Sequence, residues 1–150
     1  TPLHKAAEAG SLSVVQTLLA AGADIHQCSF DRSALDIASA KGHVDIARAI
    51  IDYGANVNAP GADDPPLHVA ALHDSAEMVP LLLANGARME DMNGGGYTPL
   101  QISARRGNVA TTRALLAAGA NVGTRYDYDG WTALDMAASK GHANAVTAMI

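Results

Sequence analysis

Six histidines are the residues with the clearest capacity for chemistry, because an imidazole nitrogen can bind a metal ion or carry a proton. They stand at positions 4, 26, 43, 68, 73 and 142. No two of them are four residues apart, so the chain lacks the spacing that places two histidines on one helix face around zinc. The sequence predicts no metal and no cofactor.

Other arrangements that support catalysis are also missing from the sequence. Residues 93–98 form a glycine-rich run before a predicted helix, but they lack the Gly-Lys-Ser/Thr ending of a phosphate-binding loop. No Gly-x-Ser-x-Gly turn presents a serine nucleophile, and Cys28 has no assigned histidine base. The sequence therefore predicts that the chain is not an enzyme.

The composition of the chain further restricts the class of protein to which it can belong. The net charge of −5 disfavours nucleic acid as a partner, and no apolar run reaches the 18 residues of a membrane span. Apolar residues make up 49% of the chain but aromatic residues only 4%, so the interior is expected to consist of small and aliphatic side chains. One cysteine excludes an internal disulfide and predicts an intracellular, cytoplasmic protein.

One short pattern recurs along the whole chain and indicates the elements that position these residues. It begins as Thr-Pro-Leu-His-Lys-Ala at residue 1 and returns, with variations, at residues 33, 65, 98 and 132. A period of 32 to 34 residues with this opening resembles the ankyrin repeat family. The resemblance implies an all-α helical repeat solenoid, with repeats of about 1–32, 33–64, 65–97, 98–131 and 132–150, the first and last incomplete.

The residues of each repeat independently predict two short helices. In the first repeat Thr1 can cap a helix that begins with Pro2, and the apolar residues from Leu12 to Leu19 follow a helical spacing before Gly22. Small residues recur where neighbouring first helices would meet: Ala6, Ala38, Ala70, Ser103 and Ala137. Each pair is too thin to bury its own apolar face, so neighbouring pairs must stack.

The third repeat departs from the pattern at three positions. Pro65 replaces the capping Thr, Asp74 replaces the glycine between the two helices, and Pro80 stands where the interior of the second helix is expected. A proline inside a helix removes one hydrogen bond and costs roughly 3 kcal/mol. The second helix of this repeat is therefore expected either to start late or to bend.

Asn58 is a candidate for covalent modification. In the ankyrin family an Asn after Gly-Ala-x-Val resembles the substrates of asparaginyl hydroxylation, and Asn58 alone matches; His26, Glu90 and Gly123 take the equivalent places. The alternative interpretation is an Asn that hydrogen-bonds its own turn.

The resemblance also implies a binding surface, because finger tips and exposed ends of the first helices line the concave face in this family. After core, cap and turn positions are removed, the candidate partner-binding residues are Phe30, Arg32, Lys41, Leu72, His73, Tyr97, Arg105, Arg106, Tyr128, Trp131 and Lys140. Aromatic residues and Arg commonly anchor protein interfaces. In the C-terminal half they predict a basic and aromatic patch for an acidic segment. Alternatively, Tyr97 and Trp131 only brace their fingers.

The predicted function is a non-catalytic scaffold that binds a partner protein or peptide. The alternative is a targeting or regulatory segment of a larger enzyme, of the kinase or ubiquitin ligase type, with its catalytic domain outside this chain. Neither end carries the polar outer face of a capping repeat, so further repeats or another domain are expected to flank it. Self-association through the uncapped ends is also expected.

Overall fold

A computed structural model describes residues 1–29, 32–59, 64–126 and 128–150. Within these residues the chain forms ten short helices: α1 (Pro2–Ala9), α2 (Leu12–Ala20), α3 (Ala34–Lys41), α4 (Val44–Asp52), α5 (Pro66–Leu72), α6 (Met78–Ala84), α7 (Pro99–Arg106), α8 (Val109–Ala117), α9 (Ala133–Ser139) and α10 (Ala143–Met149). None of them is long and apolar enough to cross a membrane.

The helices form two layers of stacked pairs. Each odd-numbered helix packs against the next odd-numbered helix, each even-numbered helix packs against the next even-numbered one, and both members of a pair contact each other. We call the odd-numbered helices inner, the even-numbered helices outer, and the connection from one pair to the next a finger. The predicted all-α repeat solenoid is confirmed, and residue 103 and the four predicted alanines are buried between inner helices.

Aliphatic side chains fill the space between the layers. The outer helices bury Val15, Leu19, Ile46, Ile50 and Leu115, while the inner helices contribute leucines and alanines. No aromatic side chain is among the buried core residues of the described part of the chain. The described aromatic residues therefore lie at or near the surface, where they are available for contacts other than core packing.

Three inner helices begin with a reciprocal cap. In α3, α7 and α9 the side chain of Ser33, Thr98 or Thr132 accepts a hydrogen bond from a backbone N–H. The side chain three positions later accepts one from the backbone N–H of the capping residue. In α5 the equivalent residue is Pro65, which makes no side-chain cap. The inner helix of the third pair thus lacks the reciprocal cap with which the inner helices of both neighbouring pairs begin.

The prolines of the third pair are accommodated without a bent helix. α6 begins only at Met78, so Pro80 lies in its first turn, where a backbone N–H would have no helical partner anyway. Asp74 adopts φ 57°, the left-handed conformation that glycine takes at the equivalent place in the other pairs. Of the two expected outcomes, the late start is the one observed.

Candidate binding surface

A stack of tyrosines joins the last two fingers. The rings of Tyr97 and Tyr126 are nearly parallel, with their centroids 4.3 Å apart, and the Tyr128 ring follows at 5.2 Å from Tyr126. The stack requires Gly96, which has φ +79°, because a Cβ at this position would lie 3.1 Å from the Tyr126 ring. A hydrogen bond with the Tyr97 hydroxyl is the main cause that raises the pKa of Tyr126 to about 12.

Arg105 extends this stack toward the inner helices. Its guanidinium carbon lies 5.1 Å from the centre of the Tyr97 ring, within the range of a cation–π interaction. Arg105 is in the last turn of α7, and its own carbonyl oxygen lies 3.1 Å from Nε2 of His142 in the next pair. The α7 terminus is therefore tied both to the tyrosine stack and to the fifth pair.

An open cavity of about 330 Å³ lies beside the stack. Its lining residues come from the last two fingers and from α7 and α9: Tyr97, Arg105, Tyr126, Asp129, Trp131, Met136, Ser139 and Lys140. The walls are aromatic, while the edge toward the inner helices is basic. The Trp131 side chain remains 42% exposed, so a partner can still cover a large part of the indole.

Hydrogen bonds fix the finger that forms one wall of this cavity. The Gln101 side chain donates from Nε2 to the carbonyl oxygens of Thr124, at 3.0 Å, and Trp131, at 3.5 Å. The Glu90 carboxylate in the preceding finger accepts hydrogen bonds from the Asn121 N–H and the Thr124 hydroxyl. These bonds join the finger to α7 and to its neighbour, so the cavity is preorganised for a ligand.

A second depression, of about 340 Å³, opens next to the cavity. Among the described residues, Arg105, Arg106 and Lys140 line it, and no carboxylate of that part of the chain takes part. Arg105 and Arg106 also lie at the negative end of the α7 dipole, which favours basic residues for structural reasons alone. Lys140 follows the end of α9 in the same way. We call these three residues the basic depression.

Basic and acidic side chains meet at the second and third pairs. Lys41 and His73 line a shallow cavity of about 420 Å³ there, together with Asp74 and Glu77. Burial lowers the pKa of His73, and the positive charges of Arg32, Arg106 and Lys41 lower it further. These three cations are therefore close enough to His73 to affect its ionisation. Arg106 is also one of the three residues of the basic depression.

The remaining residues of the predicted surface have different positions. Leu72 is half-buried and packs against the core, and Tyr128 is 83% exposed. Phe30 lies outside the described residues. The sequence analysis missed Tyr126, which is at the centre of the stack. Its position two residues before Tyr128 in the same finger was a signal, because alternate residues of an extended segment point to the same side.

The structure shows that Tyr97 and Trp131 differ in what they do. The Tyr97 ring braces the next finger by stacking on Tyr126, as the alternative interpretation proposed. The Trp131 backbone holds its own turn, because its N–H donates to Asp129 Oδ1 at 3.0 Å, while its ring lines the cavity. The indole therefore lines the cavity without taking part in the tyrosine stack.

The Asn58 side chain bonds the next finger, while its backbone N–H bonds its own turn. Its Nδ2 donates to the Gly86 carbonyl oxygen at 2.8 Å, and its Oδ1 accepts from the Arg88 N–H at 3.0 Å, both in the next finger. The Asn56 side chain instead accepts from the Asn58 N–H within the turn. Asn58 is thus a link between adjacent fingers, and its hydroxylation stays a prediction.

Comparison with known proteins agrees with this architecture. The family model of ankyrin repeats (3 copies) matches residues 1–61 and 67–150. The chain belongs to the ankyrin repeat family, as the recurring pattern indicated. Ankyrin repeats are protein-binding, non-catalytic modules, so the chain is a protein-interaction module.

Proteins that are similar to this chain are much longer, and the chain spans only part of each. A rice protein named probable E3 ubiquitin-protein ligase XBOS32 is 34% identical over 123 residues, which are 79% of this chain and 25% of that protein. The Arabidopsis thaliana E3 ubiquitin-protein ligase KEG is 32% identical over 152 residues, or 99% of this chain and 9% of that protein. Mouse ankyrin repeat and SOCS box protein 9 is 33% identical over 103 residues, 68% of this chain and 36% of that protein.

Proposed function

We propose that this array is non-catalytic and captures an acidic segment of a partner protein on its basic and aromatic surface. The observation that carries the proposal is the exposed indole of Trp131 beside the basic depression in a chain of net charge −5. Three of the ten basic residues form that depression, and Arg32 and Lys41 add two more cations near His73. Opposite charge on a partner accelerates its association and gives specificity.

The cations of this surface have few competitors within the chain. In the described residues, ion pairs within 4.0 Å are formed by Lys5 with Glu8 and by Arg88 with Asp91, both outside the surface. Carboxylates of a partner can therefore approach Arg105, Arg106 and Lys140 without displacing an internal acid. Hydrogen bonds to charged groups contribute about 1.5–3 kcal/mol each.

The test compares two triple variants of the full-length protein. Arg105→Ala, Arg106→Ala and Trp131→Ala together remove two cations and the aromatic anchor, and they should weaken partner binding by a factor of roughly 100 or more. The matched control replaces Arg48, Arg113 and Tyr53, which are also exposed, with Ala. Affinity purification from the native source with quantitative mass spectrometry identifies the partner. A partner that both triple variants retain equally would refute the proposal.

A second candidate function is supported by two of the relatives. XBOS32 and KEG are named as E3 ubiquitin ligases, and this chain corresponds to 25% and 9% of their lengths. We propose as the alternative that this array targets or regulates an enzyme of the ubiquitin ligase or kinase type in the same polypeptide. Ubiquitin or phosphate transfer by the purified full-length protein would support it, and inactivity in both assays would reject it.

We propose an intracellular, cytoplasmic location for the array, supported by a single, exposed and unpaired cysteine, Cys28. Self-association is part of the same proposal. It is supported by apolar side chains exposed in the first and last pairs, Val14 and Ile150.

A further inference from the structure

The charge of the basic depression exceeds what one carboxylate can neutralise. Arg105, Arg106 and Lys140 bring three positive charges to a depression that no acidic side chain of the described residues lines. The ends of α7 and α9 lie here, and each helix end contributes roughly half a negative charge. About two positive charges therefore remain for a ligand, whereas an Asp or Glu side chain supplies only one negative charge.

We propose that the basic depression binds a phosphorylated side chain of the partner, and that the neighbouring cavity takes a bulky apolar side chain of the same segment. The proposal rests on the proposed function and specifies its ligand. A phosphate monoester carries about 1.5 to 2 negative charges at neutral pH and offers three acceptor oxygens. Two guanidinium groups and an ammonium can serve these oxygens at once.

The position of the cavity supports a ligand with two neighbouring groups. Arg105 and Lys140 line both the cavity and the basic depression, so the two sites share one edge. The opposite part of the cavity is formed by Trp131, Tyr126 and Met136, which favour an apolar side chain. Adjacent side chains of one peptide can therefore occupy both sites.

Asp129 fixes the direction in which such a ligand binds. This carboxylate lines the cavity from the finger and accepts a hydrogen bond from the Trp131 N–H. It repels a phosphate at the finger side, while Arg105 and Lys140 attract it at the helix side. The anion is therefore placed next to Arg106, and the apolar group next to Trp131.

A nucleic acid is the other phosphate-bearing macromolecule that three cations can attract. It would need a long series of basic contacts, because its affinity grows with the number of phosphates neutralised. The whole chain is acidic, and the depression is a local site beside an aromatic cavity. A single phosphate on a peptide fits these observations better than a phosphate backbone.

The experiment uses six short Gly/Ala-based peptides carrying a fluorescent label. Their central residue is serine, glutamate or phosphoserine, and the residue before it is leucine or alanine. Fluorescence polarisation with the wild-type protein should give the highest affinity for leucine followed by phosphoserine. We expect at least a tenfold preference for phosphoserine over glutamate and for leucine over alanine. Quenching or a shift of the emission of Trp131, the single Trp, provides a second measurement of cavity occupancy.

Two variants separate the two sites. Arg106→Ala changes the basic depression but not the cavity lining, so it should abolish the preference for phosphoserine over glutamate and keep the preference for leucine. Trp131→Ala should do the reverse. Arg113→Ala removes the same charge from the exposed face of α8 and serves as the matched control, for which both preferences stay at wild-type values.

The outcomes distinguish this inference from the proposed function. Equal affinity for the glutamate and phosphoserine peptides would overturn the inference while leaving an acidic partner segment in place. Tighter binding of a single-stranded oligonucleotide than of the best phosphopeptide would also overturn it. Unchanged capture of the native partner by the triple Ala variant would instead refute the proposed function, whatever the peptides show.

Discussion

The third and fourth helix pairs contain the same elements, but different residues occupy equivalent positions, and three of these differences change the local hydrogen bonds. Thr98 caps α7 and exchanges hydrogen bonds with Gln101, whereas Pro65 at the start of α5 cannot cap it. His68 occupies the place of Gln101, and its Nε2 donates to the Asp91 carbonyl oxygen at 2.9 Å. In the first pair the Thr1 hydroxyl contacts Nδ1 of His4, but Nδ1 of His68 is buried with no partner among the described residues.

The residue between the two helices shows the same contrast. Asp74 and Gly107 both have positive φ, at 57° and 74°. Asp74 Oδ1 accepts hydrogen bonds from the N–H and the hydroxyl of Thr111, both at 3.0 Å. Gly107 instead leaves room for the ring of His142, since a Cβ on residue 107 would lie only 2.7 Å from the ring nitrogen Nδ1.

The fourth pair supplies hydrogen bonds that the end of α5 does not find within its own pair. The Asn108 side chain donates to the carbonyl oxygens of Ala71 and Leu72 at the end of α5, and Thr111 receives its cap from Asp74. The two pairs thus complete each other: the fourth pair satisfies carbonyl oxygens at the end of α5, and the third pair caps the start of α8, whose own N-cap residue makes no side-chain cap. Three substitutions test this comparison, and we order them by expected effect.

Gly107→Ala should have the largest effect, a loss of about 3 kcal/mol in the free energy of unfolding. A left-handed alanine costs roughly 1–2 kcal/mol, and displacement of the His142 ring adds a similar amount. Urea denaturation measures the loss. In a His142→Ala background the steric part should disappear, leaving only the backbone strain. An equal loss in both backgrounds would contradict the close approach of the ring.

Asp74→Ala should destabilise the protein by about 2 kcal/mol, because it removes the cap of α8 and places alanine at positive φ. Asp74→Gly loses the same hydrogen bonds but relieves the strain, so its loss should be less than 1 kcal/mol. Thermal and urea unfolding of both variants provide the measurement. Identical losses would show that the backbone conformation at residue 74 contributes nothing.

His68 should make stability depend on pH, whereas Gln101 at the equivalent position cannot. Burial lowers the pKa of His68 below its usual value of 6.5, so the folded state favours the neutral ring. The contribution of the neutral His68 ring to the free energy of unfolding is complete above pH 6.5, and it decreases as the pH falls below that value. Urea unfolding between pH 7.5 and about 5.5 should show a smaller decrease in His68→Gln than in the wild type. Parallel decreases would argue against a buried neutral ring.

The sequence predicted most of the fold, because the elements depend on local residues. The recurring pattern, the apolar spacing and the glycines located all five pairs, and Pro80 correctly raised the possibility of a late start for α6. Tyr126 and the hydrogen-bond partners of the Asn58 side chain were not predicted, for a different reason. The partners of both residues lie in other fingers, about 30 residues away along the chain, and residue types alone do not reveal which side chains meet there.

The link formed by Asn58 bears on the chemical ageing of this chain. At the equivalent place in the next finger, Glu90 accepts from the Asn121 N–H at 2.9 Å, just as Asn58 Oδ1 accepts from the Arg88 N–H. A carboxylate therefore accepts this backbone bond just as the amide oxygen does. Spontaneous deamidation of Asn58 to Asp would keep the bond from the Arg88 N–H, so the two fingers would remain joined there. It would also place a carboxylate oxygen beside the Gly86 carbonyl oxygen, which loses that bond and adds repulsion.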